Sequence, residues 1–182
     1  MPAMRRSLSG LLVLVLAACG GATASTTTST TTTTTTTSSY TPPPRAWAEM
    51  DHDARRAHMV QHVLPASSDL FTSWDGTRYA EFSCATCHGA DASARAFAMP
   101  NPSLITLYST GTIGQQEVLA QYTEACTFMY SRLLPAMQTM LGASEYDPAT
   151  HQGFTCFSCH PHGMDDDPRS QPAPQAGAPA AR

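Results

Sequence analysis

Cys84-Ala85-Thr86-Cys87-His88 and Cys156-Phe157-Ser158-Cys159-His160 decide how this chain is read. Both are C-x-x-C-H. At that spacing two thiols on an incipient helical turn reach the two vinyl groups of one porphyrin, and the next residue offers an imidazole to its iron. One such motif is uncommon by chance, and a pair is far rarer. The pair predicts two covalently bound c-type haems (haem c), with Cys84, Cys87, Cys156 and Cys159 as thioether donors and His88 and His160 as proximal iron ligands. Zinc held by two C-x-x-C pairs is the competing use. Zinc needs no histidine directly after each pair, however, and 68 residues between the pairs is a long gap. A thioredoxin-like redox centre would want one C-x-x-C opening a helix after a strand, and no strand pattern precedes either motif.

The stretch before each motif is duplicated. Met59-Val60-Gln61-His62-Val63-Leu64-Pro65-Ala66 matches Met129-Tyr130-Ser131-Arg132-Leu133-Leu134-Pro135-Ala136 at a constant offset of 70, and Phe82-Ser83-Cys84 matches Phe154-Thr155-Cys156 at 72. The repeating unit is a helix, a proline-bearing helical segment, a loop and C-x-x-C-H. Two copies, about 45–110 and 111–167, make a duplicated domain and not a solenoid.

Apolar spacing predicts helices. Val118, Leu119, Tyr122, Cys126, Met129 and Leu133 recur at threes and fours, the stripe of a buried face, with Cys126 a small buried hydrophobe on it. Pro135 should kink or divide that helix near Leu134, and Gly142 should stop it. In the first copy Trp47, Met50, Ala54 and Ala57 give a weaker stripe before Pro65. No segment alternates with period two, so the domain is expected to be all-α. Porphyrin would add apolar surface that about 120 residues otherwise lack, so the chain without it is expected to fold poorly.

Candidates for the sixth iron ligand are less sharply marked. Met137 and Met140 stand 23 and 20 residues before His160. A helical methionine followed by a turn and C-x-x-C-H resembles the tetrahaem cytochrome subunit of photosynthetic reaction centres, in the layout of the unit alone. That resemblance implies Met137 as the distal ligand of the second haem, with Met140 its rival. The first-copy equivalents are Ser67 and Leu70, neither a good ligand. Met99-Pro100, eleven residues after His88, resembles the Met-Pro that supplies the sixth ligand in many small cytochromes c, which implies Met99 for the first haem. His62 and His58, one helical turn apart, are the alternatives there. His151 and His162 are expected in loops.

The two ends are of different character. Arg5 and Arg6 precede the short apolar run Leu11 to Leu16, and Leu16-Ala17-Ala18-Cys19-Gly20 follows. Residues 1–18 therefore read as a signal peptide. The sequence at Cys19 resembles the bacterial lipobox, which implies lipidation of Cys19 and a membrane anchor facing the periplasm or cell surface. Gly20 in place of the aspartate that retains enteric lipoproteins at the inner membrane favours the outer membrane. Every residue from Ser25 to Ser39 is Ser or Thr, and Pro42-Pro43-Pro44 follows, so 19–44 is expected to be a disordered tether. Roughly 25 residues of flexible coil reach about 25–30 Å. The Pro- and Ala-rich end, 168–182, is expected as a solvated tail.

The globular unit, 45–167, is acidic. It holds 14 Asp or Glu against 6 Arg and no Lys, leaving −8, which argues against nucleic acid and for redox partners with basic docking surfaces. No nucleophile–base pair, phosphate loop or second metal motif suggests a small-molecule substrate. Through its two motifs and its signal the chain resembles small bacterial dihaem c-type cytochromes. The resemblance implies a cytochrome c-like domain of two helix–loop–C-x-x-C-H units that exchanges single electrons with protein partners and is not an enzyme. A small dihaem peroxidase with one five-coordinate iron is the alternative, motivated by Ser67 and Leu70. A haem-based sensor would need an output module that the chain does not carry.

Overall fold

A computed structural model describes residues 40–174. The expected signal peptide, Cys19 and the Ser/Thr run lie outside the described residues, as does the chain from 175 onward. The described residues are helical and contain no β-strand, only isolated bridges.

Helix α1 (His52–His58) begins on Asp51, whose carboxylate accepts from the Ala54 amide at 2.8 Å and satisfies one of the free amides of the first turn. It does not end before the proline. The backbone passes through a π turn, Met59–Val63, straight into α2 (Leu64–Trp74). In the second copy α5 (Thr123–Phe128) passes through a π turn, Met129–Leu133, into α6 (Leu134–Leu141). Leu64 N–H donates to Met59 O and Leu134 N–H to Met129 O, each five residues back.

Proline lacks an amide hydrogen, and in a regular α-helix its ring strikes the carbonyl four residues earlier. The wider turn carries that carbonyl away. Pro135 thus interrupts the regular α-helix near Leu134, as its residue type suggests, through a π turn that keeps the backbone helical on both sides. The stretches that match at an offset of 70 share this local structure as well as their residues. Gly142 does end α6, in the left-handed conformation (φ 60°) that glycine adopts without a Cβ penalty.

The stripe expected from Val118 to Leu133 is only partly buried. α4 (Ile113–Gln121) is separated from α5 by Tyr122 at φ −125°, ψ 37°, and the helical phase does not carry across it. Leu119 and Tyr122 are 47% and 40% exposed, and Phe128, outside the expected stripe, is buried. In the first copy Met50 is buried, although it precedes α1, and Ala57 is exposed.

The core is the seam between the two duplicated helices. Val63, Leu70 and Phe71 from the first copy meet Phe128, Ala136 and Met140 from the second. An aromatic cluster closes one end: Trp74 stacks on Phe128 at 4.5 Å and 7°, and Phe71 lies 5.0 Å from Phe82, the residue that leads into the first cysteine motif.

Both expected boundaries shift. Tyr40 packs against the core, so the tether ends before residue 44. Beyond Asp167 the chain is built into the domain: Pro168–Ser170 forms a 3-10 turn, Ile113 N–H donates to Gln171 O at 2.9 Å, and Ala173 N–H donates to Gly111 O at 2.8 Å. These backbone bonds hold a segment whose composition alone suggests a solvated tail. They anchor the chain beside Tyr108, whose ring lies between Gly114 and Gly163 and whose hydroxyl donates to Asp167 at 2.8 Å.

Candidate functional site

Each cysteine motif opens on a hydroxyl residue that reads its own turn. Ser83 precedes α3 (Cys84–His88), and its amide donates to Thr86 Oγ1 at 3.0 Å. Thr155 precedes the 3-10 turn Cys156–Ser158. Its amide donates to Ser158 Oγ at 3.0 Å, and its own hydroxyl accepts from the Phe157 amide at 3.1 Å. The pattern is [ST]-C-x-[ST]-C-H in both places, a capping box folded inside the motif. Sequence reasoning missed it, although the hydroxyl residues stand in plain view beside the cysteines.

Cys84 is exposed, and Cys87, Cys156 and Cys159 are half-buried; none of the four is paired to another cysteine. Burial pushes the Cys87 thiol up to about 12, with Cys159 and Cys84 adding to the shift. Burial, then Cys156, pushes Cys159 up to about 11. Cys126 is half-buried with its thiol 3.9 Å from Val118 O, and burial raises its pKa.

The imidazoles differ in their support. His160 Nδ1 lies 3.0 Å from Ile105 O. A proton on Nδ1, donated to that carbonyl, leaves Nε2 with a bare lone pair, the tautomer a metal requires. His88 Nδ1 is buried with no hydrogen-bond partner. Burial first, and the Arg95 guanidinium after it, hold His88 below the ordinary histidine range, against the opposing pull of the Phe97 carbonyl. His88 is therefore favoured as the neutral imidazole. Arg95 also binds the carbonyls of His88 and Ala98 while pairing with Asp91 at 2.9 Å, which fixes the end of the first motif.

These features suit haem. Phe97, 40% exposed, presents its ring at 5.5 Å to His88, edge to face, and Ile105, also 40% exposed, supplies the carbonyl that orients His160. Each imidazole thus contacts a residue whose apolar side chain is partly uncovered, Phe97 through its ring and Ile105 through its carbonyl, and such uncovered surface is what a porphyrin ring covers. Among the described residues no three His, Cys, Asp or Glu side chains converge as a metal cage. Axial ligation of a porphyrin iron needs no such group.

The candidate distal ligands divide into two settings. Met99 is half-buried, two residues before the buried Asn101, in the segment that joins the two motifs. The others stand on the helix pair. Met137 is half-buried, with its sulfur 3.9 Å from the Ser67 hydroxyl. Met140 is fully enclosed in the core, and its carbonyl accepts from His58 Nε2 at 2.7 Å. His58 is 3% exposed, so both it and Met140 serve the helix–helix seam. His62 is half-buried, with its ring 5.0 Å from that of His58. His151 and His162 are loop residues, engaged by Tyr146 and Ser109 respectively at 3.0 Å.

A residue without any sequence signal joins the two motifs. Asn101 is 1% exposed; its side-chain amide donates to Cys87 O at 3.0 Å, and its backbone amide donates to Cys159 O at 2.9 Å. Neither a protein-family profile, nor a curated protein, nor a solved structure matches this chain.

Proposed function

We propose that this chain is a membrane-tethered dihaem c-type cytochrome, an electron carrier between protein partners, built as two helix–loop–C-x-x-C-H units. One observation carries the reading: two C-x-x-C-H turns are closed by the same internal capping, and the imidazole that ends the second is oriented by the Ile105 carbonyl with Nε2 left free. Cys84 and Cys87 would hold one haem and Cys156 and Cys159 the other, with His88 and His160 as proximal ligands. Met99 and Met137 are the proposed distal ligands, and His62 is the rival to Met99. Each bound haem supplies a one-electron iron couple.

The chain's own part is to fix the ligands and set the charge around them. The Ile105 carbonyl orients His160, and burial first, with the Arg95 guanidinium after it, favours the neutral form of His88. The −8 balance of residues 45–167 would draw a partner with a basic docking surface, and association should weaken as salt rises. Lipidation at Cys19 would hold the domain at a periplasmic or cell-surface face.

Exported, mature protein tests this directly. Intact mass and a pyridine haemochrome assay should give two haems per chain, and a weak band at the red edge of the visible spectrum should report methionine ligation. Colourless protein with free or mutually bridged thiols overturns the reading. Carbon monoxide binding to one reduced haem would replace the carrier with the peroxidase alternative. Cys19→Ser should move the protein from the membrane to the soluble fraction.

A further inference from the structure

The segment after the first motif does not return to its own copy. It is zipped along the second motif: Asn101 N–H donates to Cys159 O at 2.9 Å, His160 Nδ1 to Ile105 O at 3.0 Å, Leu107 N–H to Pro161 O at 2.9 Å, and Gly163 N–H to Leu107 O at 2.8 Å. At the head of this strap the Asn101 side chain turns the other way and donates to Cys87 O at 3.0 Å. Its Oδ1 accepts from the Ser103 amide at 2.9 Å and faces the Arg95 guanidinium at 3.4 Å. Gly89 makes room for it: a Cβ there would stand 3.0 Å from Oδ1 and 3.2 Å from Nδ2.

A buried amide is costly unless its polar atoms are paired. Here the side chain is paired to the main chain of the first motif and to the Ser103 amide, and the backbone amide of the same residue to the second motif, so the second cysteines of both attachment turns, 72 residues apart, are held within the span of one residue.

We propose that Asn101 is a positioning residue that locks the two attachment turns side by side, so that the two covalent groups form a close, interacting pair. This rests on the two-haem reading and adds to it a fixed spacing between the groups. Electrons would then be shared within one unit of two irons.

Circular dichroism in the Soret band of the exported holoprotein tests it, because two porphyrins in close, fixed orientation give a two-signed couplet while isolated ones give a single-signed band. The wild type should show the couplet. Asn101→Asp keeps the shape and the backbone amide but places a carboxylate against the Cys87 carbonyl; it should retain two haems and its far-ultraviolet helix signal while losing most of the couplet. Ser103→Ala, on the same strap with its hydroxyl unused, should leave the couplet intact. A single-signed wild-type band with two haems per chain overturns the close pair and leaves the two-haem reading standing, whereas absence of haem overturns that reading itself. A full couplet in Asn101→Asp overturns the role of Asn101. If that variant fails to fold, the wild-type band alone supports or overturns the close pair.

Discussion

Ser67 and Met137 occupy the same place in the two copies and touch each other, the serine hydroxyl 3.9 Å from the methionine sulfur. A residue meets its own counterpart where two copies face each other about a two-fold axis, as in an isologous dimer interface. The rest of the seam agrees: α2 packs on the second π turn and α6 on the first. The symmetry is broken chemically. On one side His58 reaches the Met140 carbonyl, while at the matching positions the second copy has Phe128 and the first has Leu70, both buried and apolar.

The two methionines of α6 should therefore separate by experiment. Met140, with 0% exposure, fills the seam, and Met140→Ala should cost about 2–5 kcal/mol in denaturant unfolding. Met137→Ala, at a half-buried site, should cost less and in the holoprotein should remove a red-edge absorption band. Equal stability losses with an unchanged spectrum would take Met137 out of the ligand set.

Proline in these helices should be nearly neutral. Pro135 follows a π turn whose i−5 hydrogen bond, Leu134 N–H to Met129 O, already bypasses the regular ladder. A proline that fits its backbone constrains the unfolded chain, so Pro135→Ala should change stability by no more than about 1 kcal/mol, on the destabilising side. A gain approaching the roughly 3 kcal/mol that interior proline costs an ordinary helix would show that the π turn does not relieve the clash.

The Tyr108 clasp should be intolerant of methyl groups. A Cβ at Gly114 or Gly163 would lie 2.3 Å from the Tyr108 ring. Gly114→Ala and Gly163→Ala should each cost about 1–3 kcal/mol or force the ring out, read as a lower thermal midpoint. Gly111, where a Cβ meets nothing within 4 Å, provides the comparison for backbone strain alone, since its φ is +86°.

Asp167 sets an acid limb. Its carboxylate is held at about 2, from an ordinary 3.8, by the Arg169 side chain first, then the Arg169 amide and the Tyr108 hydroxyl. A depressed carboxyl contributes stability in full above its unfolded value and loses it as pH falls through the folded one. Wild type should lose stability progressively between pH 3.8 and about 2, and Asp167→Asn should flatten that part of the profile. Identical slopes in an acid titration followed by circular dichroism would show that the cluster adds nothing.

What could be read from residues alone was what depends on near neighbours. The stop at Gly142, the helical class and the shared form of the two proline-bearing stretches are set within a few residues by backbone sterics and apolar spacing. The stripe through Leu119 and Tyr122 misled because a fixed period presumes an unbroken helix; the break at Tyr122 and the extra residue of the π turn both reset the phase. Asn101 left no trace in the sequence, because its partners are main-chain carbonyls at Cys87 and Cys159, which any side chain could carry. The end of the domain was misplaced for the same reason: Gln171 and Ala173 are held through their backbones.

The stacking of Arg169 over the Tyr108 ring, 4.9 Å from its centroid, has a practical side for anyone preparing shortened versions of this protein. Trimming at Asp167, an attractive point on composition, would strip a lid from an aromatic side chain in the middle of the chain and free the start of α4. Recombinant forms should retain everything through Ala173, and a purification tag at the carboxyl end belongs beyond that residue.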